Sequence, residues 1–324
     1  MNDVVTLGET MALLQPMPDG PVATSAVLHH SIAGAESNLA IGLSRLGRSV
    51  GFLSRVGDDP FGQAIRTTLA GEGVGVAKLA IDPSAPTGIV VRQPGRSGEP
   101  SVFYHRRGSA ASQLDEGDID ANWLEGVRLL ALTGITPALS SGCRRAVFAA
   151  IELAHELKIP ITFDPNIRFK LWGDRHTARR VIGDIASRCD VVTPGAAEAS
   201  FLTDTDDAIE AGRRLVVGRT ELVAVKLGPT GSVAISDSVV VSAPASKVLN
   251  VVDPIGAGDA WAAGFVSILL EMEPDRIDPS GLVRALERAN LMGALTTMFR
   301  GDWEGLPQLA ELQRIERGEQ IVSR

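Results

Sequence analysis

The chain has 324 residues, 44% apolar and 22% charged, a composition that excludes disorder and a disulfide scaffold and is long enough for one large α/β domain with a sizeable core. A net charge of -8 excludes general binding of DNA or RNA, so any anionic ligand has to meet locally placed arginines. Cys143 and Cys189 lack metal-ligand spacing, a strand-like run follows Met1-Asn2-Asp3 in place of a signal peptide, and no apolar stretch reaches the ~20 residues of a membrane span; a reducing cytoplasm is the expected compartment.

In chain order, Val4 to Leu7 is the first short apolar run. Leu39, Leu43 and Leu46 then recur at helical spacing before Gly47, and Phe61, Ala64, Ile65 and Leu69 do so before Gly71. Further apolar runs span Arg128 to Leu132, Ile161 to Phe163, Val191 to Thr193 and Leu222 to Lys226. Runs without polar alternation predict strands buried on both faces, and their interleaving with helices predicts a mostly parallel sheet covered by helices. Residues 12 to 32 and 85 to 108 break this rhythm. Gly88 to Arg92 and Ser101 to His105 flank the Gly/Pro-rich Gln93 to Pro100 and read as hairpin-like strands outside the main sheet. They fit either a lid over a ligand site or an ordinary surface insertion.

Near the C-terminus, Asp253-Pro254-Ile255-Gly256-Ala257-Gly258-Asp259 precedes the helical run Ala260 to Glu271. Small residues at a helix start let a ligand approach the free amides of Ala257, Gly258 and Asp259 at the positive end of the helix dipole, an arrangement suited to a γ-phosphate. Asp259, in the first turn, would sit beside that anion and accept a proton from an attacking hydroxyl. The same residues also fit a plain glycine-rich loop with Asp259 as a helix-dipole partner. There is no Gly-x4-Gly-Lys-Ser/Thr, and the glycines do not follow the first strand, so P-loop and Rossmann readings fall.

Asp253 to Ala260, followed by Ala263-Gly264, resembles the C-terminal signature of the ribokinase-like carbohydrate kinases. Gly34-Ala35-Glu36-Ser37-Asn38-Leu39-Ala40, ending in Arg45-Leu46-Gly47, resembles their N-terminal sugar-contacting motif. The resemblance covers nearly the whole chain and implies a single ribokinase-like three-layer α/β domain over 1–324, with a mostly parallel central sheet of nine or so strands. The segments at about 12–32 and 85–108 would form a small β-sheet lid. It implies ATP and Mg²⁺ as co-substrates, a monovalent cation such as K⁺, Asp259 as the base, and Gly256, Ala257 and Gly258 around the phosphate. It also implies a nucleotide site around Asn166, Lys226, Gly228 and Gly231, with Asn290 bordering the adenine. Glu198 would be an indirect magnesium contact, although Thr193-Pro194-Gly195 departs from the usual Asn-x-x-Glu at position 195.

Four segments resemble 2-keto-3-deoxygluconate kinases more than ribokinases or fructokinases: Phe103 to Ala110, Asp164 to Arg168 with Leu171-Trp172, Arg300 to Gly305, and Leu132 to Ser140. A sugar acid carries a carboxylate, and arginine forks bind carboxylates through two parallel hydrogen bonds, which makes Arg106 and Arg168 the candidates. By resemblance, Gly34, Ala35, Asn38 and Asp302 would line the sugar and Tyr104 would meet its carboxylate or keto end. Val90 stands where some members place a substrate-binding tyrosine. The scattered histidines show no zinc-ligand spacing. Small-molecule partners and a homo-oligomer are expected. Fructokinase, ribokinase, nucleoside kinase and a non-catalytic sugar-binding regulator remain the alternatives.

Overall fold

The computed structural model describes residues 2–95, 100–272 and 278–319. Its strands are β1 (Val4–Leu7), β2 (Met11–Pro16), β3 (Leu28–Ala33), β4 (Val50–Gly57), β5 (Leu79–Asp82), β6 (Ile89–Gln93), β7 (Ser101–His105), β8 (Leu129–Thr133), β9 (Ile161–Asp164), β10 (Val191–Val192), β11 (Leu222–Lys226), β12 (Ser232–Ile235) and β13 (Val240–Ala243). Because side chains alternate along a strand, Val4, Leu129 and Ala131 enter one apolar cluster while Val5, Leu7, Leu130 and Leu132 enter another on the opposite face. That double burial is why these runs carry no polar alternation.

A nine-stranded sheet has the order β13-β12-β11-β10-β9-β8-β1-β4-β5. The strands from β5 across to β11 are parallel, and β12 and β13 close one edge as antiparallel strands. Helices Ala35–Arg45, Ala257–Leu269 and Pro279–Thr296 cover one face; Ser141–Glu156, Arg175–Ala186 and Ala208–Leu215 cover the other. This is the three-layer ribokinase-like architecture.

A separate four-stranded sheet has the order β3-β2-β6-β7. It is built of two antiparallel pairs joined by a parallel β2–β6 contact, and Met11, Leu13, Ala33 and Val90 form its own small core. The two segments that broke the sequence rhythm thus lie outside the main sheet and meet each other. Residues 96–99 of the Gly/Pro-rich segment Gln93 to Pro100 lie outside the described residues.

Strands β4, β5, β12 and β13 were not anticipated. Strand β4 interrupts its apolar run with Gly51, Ser54 and Arg55, β12 is a buried run of only four residues that opens on Ser232, and β5 and β13 are partly exposed edge strands. Parallel strands put all their carboxyl ends on one side. The chain leaves β1 for β4 and β5 on one flank and returns to β8 on the other, which opens a crevice at that end of the sheet, the usual ligand site of such sheets.

Candidate active site

A cavity of about 1050 Å³ fills this crevice beneath the small sheet. Asp164 and Lys226 come from the ends of β9 and β11; Asn38 projects from the helix Ala35–Arg45; Val90, Arg92, Tyr104 and Arg106 reach in from the small sheet. Gly34 caps that helix, and a Cβ there would lie 2.3 Å from the Glu9 carbonyl oxygen, so the turn admits only glycine. Val90 pairs in register with Tyr104, which leaves an aliphatic and an aromatic side chain side by side at the cavity wall.

The helix Ala257–Leu269 starts where it does because Gly256 adopts φ 79°, and a Cβ there would fall 1.9 Å from the Asp302 carbonyl oxygen. The Ala257 N–H makes a long 3.4 Å contact to Pro254 O, whereas the first-turn N–H groups of Gly258 and Asp259 have no intrahelical acceptor. Gly256, Gly258 and Asp259 line the cavity, so the positive helix end faces it.

Asn38 Nδ2 donates to Asp259 Oδ2 at 2.8 Å, and Asn166 Nδ2 approaches Oδ1 at 3.5 Å. Asn166 holds a positive φ of 35°, a strained geometry for a residue with a side chain. Burial pushes the Asp259 carboxyl up to about 7; the Asn38 hydrogen bond opposes this, Asp164 adds to it, Arg168 opposes it and Asp302 adds again. A carboxylate poised near neutrality beside an anion hole is equipped to take a proton at physiological pH.

Lys226 Nζ lies 2.6 Å from Asp164 Oδ2. Burial works against its ammonium, but Asp164 and Glu198 prevail and hold its pKa above the ordinary lysine value. Glu198 is raised by burial and by repulsion from Asp164, against the pull of Lys226, and accepts from the Ile167 N–H at 2.6 Å and the Gly195 N–H at 2.8 Å. Gly195 therefore serves as a backbone donor to Glu198, a contact that needs no side chain at the departing position.

The two candidate arginines differ. Arg106 is buried and its Nε donates to Glu9 Oε2 at 2.6 Å, with Ser109 Oγ on Oε1 of the same carboxylate. Arg168 is exposed and lines the cavity, and although its carbonyl accepts from the Leu171 N–H, its guanidinium makes no hydrogen bond or ion pair among the described residues. Tyr104 lies on the same wall, with the Arg106 guanidinium 5.5 Å from its ring centroid. Asp302 also lines the cavity, engaged by Arg92; burial raises its carboxyl against the pull of that arginine.

Asn290 lies away from the cavity lining. Its Oδ1 accepts from Ser232 Oγ and Trp261 Nε1, both at 2.9 Å, and its Nδ2 donates to the Ala243 and Pro244 carbonyls, so its hydrogen-bonding capacity is taken up by the fold. Gly228 and Gly231 bracket a 3-10 turn after β11, also outside the lining.

Sequence reasoning missed Glu9, Glu36 and Arg92 as site residues. Glu9 follows the end of β1 at the point where strand order reverses, which was an available signal. Glu36 sat inside the quoted N-terminal motif; it is buried, with Thr133 and Thr136 hydroxyls each donating at 2.6 Å. Burial raises its carboxyl against those two hydrogen bonds. Arg92, within strand β6 of the small sheet, carried no signal.

The family model for pfkB family carbohydrate kinases matches residues 1–309. The chain is 36% identical to a 2-dehydro-3-deoxygluconokinase of Thermoproteus tenax, over 97% of this chain and 94% of that protein. It is 33% identical to one of Bacillus subtilis, over 96% and 94%. A Klebsiella pneumoniae fructokinase is also 33% identical, over 94% and 96%. Among solved structures, a pfkB protein of Polaromonas sp. JS666 superposes with a TM-score of 0.85 at 34% identity, covering 97% of this chain and 100% of that one. A ribokinase II of E. coli in complex with ATP and Mg²⁺ superposes with a TM-score of 0.88 at 25% identity, covering 98% and 100%.

Proposed function

The chain belongs to the pfkB family of carbohydrate kinases and is a sugar kinase, and from that premise we propose that it transfers the γ-phosphoryl group of ATP to the terminal primary hydroxyl of a sugar acid, 2-keto-3-deoxygluconate. The observation that carries the acid reading is Arg168, a guanidinium on the cavity wall with no ion pair of its own among the described residues. A neutral sugar offers that fork only uncharged hydroxyl or carbonyl acceptors; a carboxylate offers it two parallel charge-assisted hydrogen bonds. The 2-dehydro-3-deoxygluconokinase relatives at 33% and 36% identity point the same way, while the fructokinase at 33% keeps fructose as the competing substrate.

In this reading Asn38 orients Asp259, and Asp259 takes the hydroxyl proton as the sugar oxygen bonds to the γ-phosphorus. The bond to the bridging oxygen breaks and its electron pair leaves with ADP. The amides at Gly256 to Gly258 stabilise the charge that gathers on the transferring group. Glu198 and Asp164 form an oxygen-only donor set, and the two backbone N–H groups holding Glu198 in place fit a contact to Mg²⁺ made through water. When bound, Mg²⁺ would neutralise phosphate charge. The small sheet acts as a lid that keeps water from the reacting groups.

The test is ADP release with 2-keto-3-deoxygluconate, 2-keto-3-deoxygalactonate, fructose, ribose and adenosine side by side. The highest kcat/KM is expected on a keto-deoxy acid. A higher value on fructose or ribose overturns the acid assignment and leaves the kinase intact, whereas ligand-induced stabilisation with no ADP formed on any sugar marks a binding protein.

A further inference from the structure

Arg92 bridges the small sheet to the segments that shape the anion hole. It projects from β6 and is buried, as is Asp302. One terminal nitrogen, Nη1, contacts Asp253 Oδ2 at 3.2 Å, and the other, Nη2, donates to Asp302 Oδ1. Asp253 in turn accepts from the Ile255 N–H at 3.1 Å through Oδ1 and from the Gly301 N–H at 3.3 Å through Oδ2. Asp302 presents its backbone carbonyl against Gly256, where no Cβ would fit. One guanidinium therefore fastens both sides of the turn that aims the Gly256 to Gly258 amides, and it does so from the element that covers the sugar. A buried arginine facing two carboxylates is costly unless that geometry is held well.

We propose that Arg92 is a positioning residue for phosphoryl transfer, which locks the Asp253–Gly258 loop and the Asp302 loop in register with the small sheet. Its catalytic consequence rests on the phosphate-loop reading above; its structural claim does not. Removal of the guanidinium frees the loop, and misplacement of such groups by about 1 Å can cost 10²-fold in rate. Lysine keeps a charge but reaches only one of the two carboxylates well.

The experiment compares the wild-type chain with Arg92→Met and Arg92→Lys by amide exchange without ligand, thermal unfolding, and steady-state kinetics on the best sugar and ATP. Arg92→Met is expected to accelerate exchange at the Ile255 and Gly301 amides selectively and to lower kcat by roughly 10- to 100-fold, with KM for ATP within several-fold. Arg92→Lys should recover part of the kcat. Unchanged exchange at those two amides overturns the proposal, as does unchanged kcat in a folded Arg92→Met protein. Exchange that rises evenly across the whole chain would assign Arg92 to general stability and overturn it as well. If wild type phosphorylates no sugar, the kinase mechanism falls, yet the exchange measurement still decides whether Arg92 holds the loop.

Discussion

The sharpest prediction concerns Asp259, because its carboxyl should weaken the fold while it drives the reaction. A group held at about 7 in the folded chain and near 3.8 when exposed binds a proton more tightly in the native state. Between those two values the native state carries more protons than the unfolded one, so this group makes stability fall as pH rises from about 4 to 7. At 1.36 kcal/mol per pH unit the loss approaches ~4 kcal/mol above pH 7, and is smaller to the extent that water in the open cavity screens the charge. Asp259→Asn removes the titration and preserves an oxygen for Asn38. It should therefore raise the melting temperature by several degrees at pH 8, with the gain shrinking toward zero below pH 4, while kcat drops by about 10²–10⁴. Melting curves from pH 4 to 8 on both proteins and kcat/KM of wild type over the same range are the assays. Wild-type kcat/KM should climb through an apparent pKa near 7, since the base has to be ionised. A flat profile through neutrality, or a variant that is near-normally active, would refute the role of Asp259; a variant no more stable at pH 8 than wild type would refute the burial account of its pKa.

Arg168→Lys keeps the charge and loses the fork, so kcat/KM on the sugar acid should fall roughly 10- to 150-fold, or about 1.5 to 3 kcal/mol, while any fructose activity changes far less; equal losses on both would place Arg168 in ATP binding or the fold. Strands β6 and β7 should gain hydrogen-exchange protection when the sugar binds, and unchanged exchange under confirmed binding would mean that the small sheet is not a lid. Lys226→Met strands the buried Asp164 carboxylate and should cost about 3–5 kcal/mol in denaturant unfolding, part of it regained when Asp164→Asn is added; no recovery would show that the ion pair is not what the lysine supplies.

The sequence by itself determined the five central runs of the main sheet, β1 and β8 to β11, and the glycine-rich helix start that carries Asp259. Strands buried on both faces have to be apolar throughout, and a positive φ with a carbonyl 1.9 Å from any added Cβ has to be glycine, so local chemistry wrote these features into consecutive residues. The edge strands β5 and β13 escaped because partial exposure dilutes the apolar pattern that a reader of sequence depends on. The partnerships inside the cavity were out of reach for a different reason. Arg106 lies 97 positions from Glu9, Arg92 lies 161 from Asp253 and 210 from Asp302, and Asn38 lies 221 from Asp259. Nothing in the spacing of residues says which of two arginines is already paired with a carboxylate and which has no ion pair among the described residues. Only the tertiary structure decided that, because a charge takes its value from what is packed around it, and here the packing brings together segments from opposite ends of the chain.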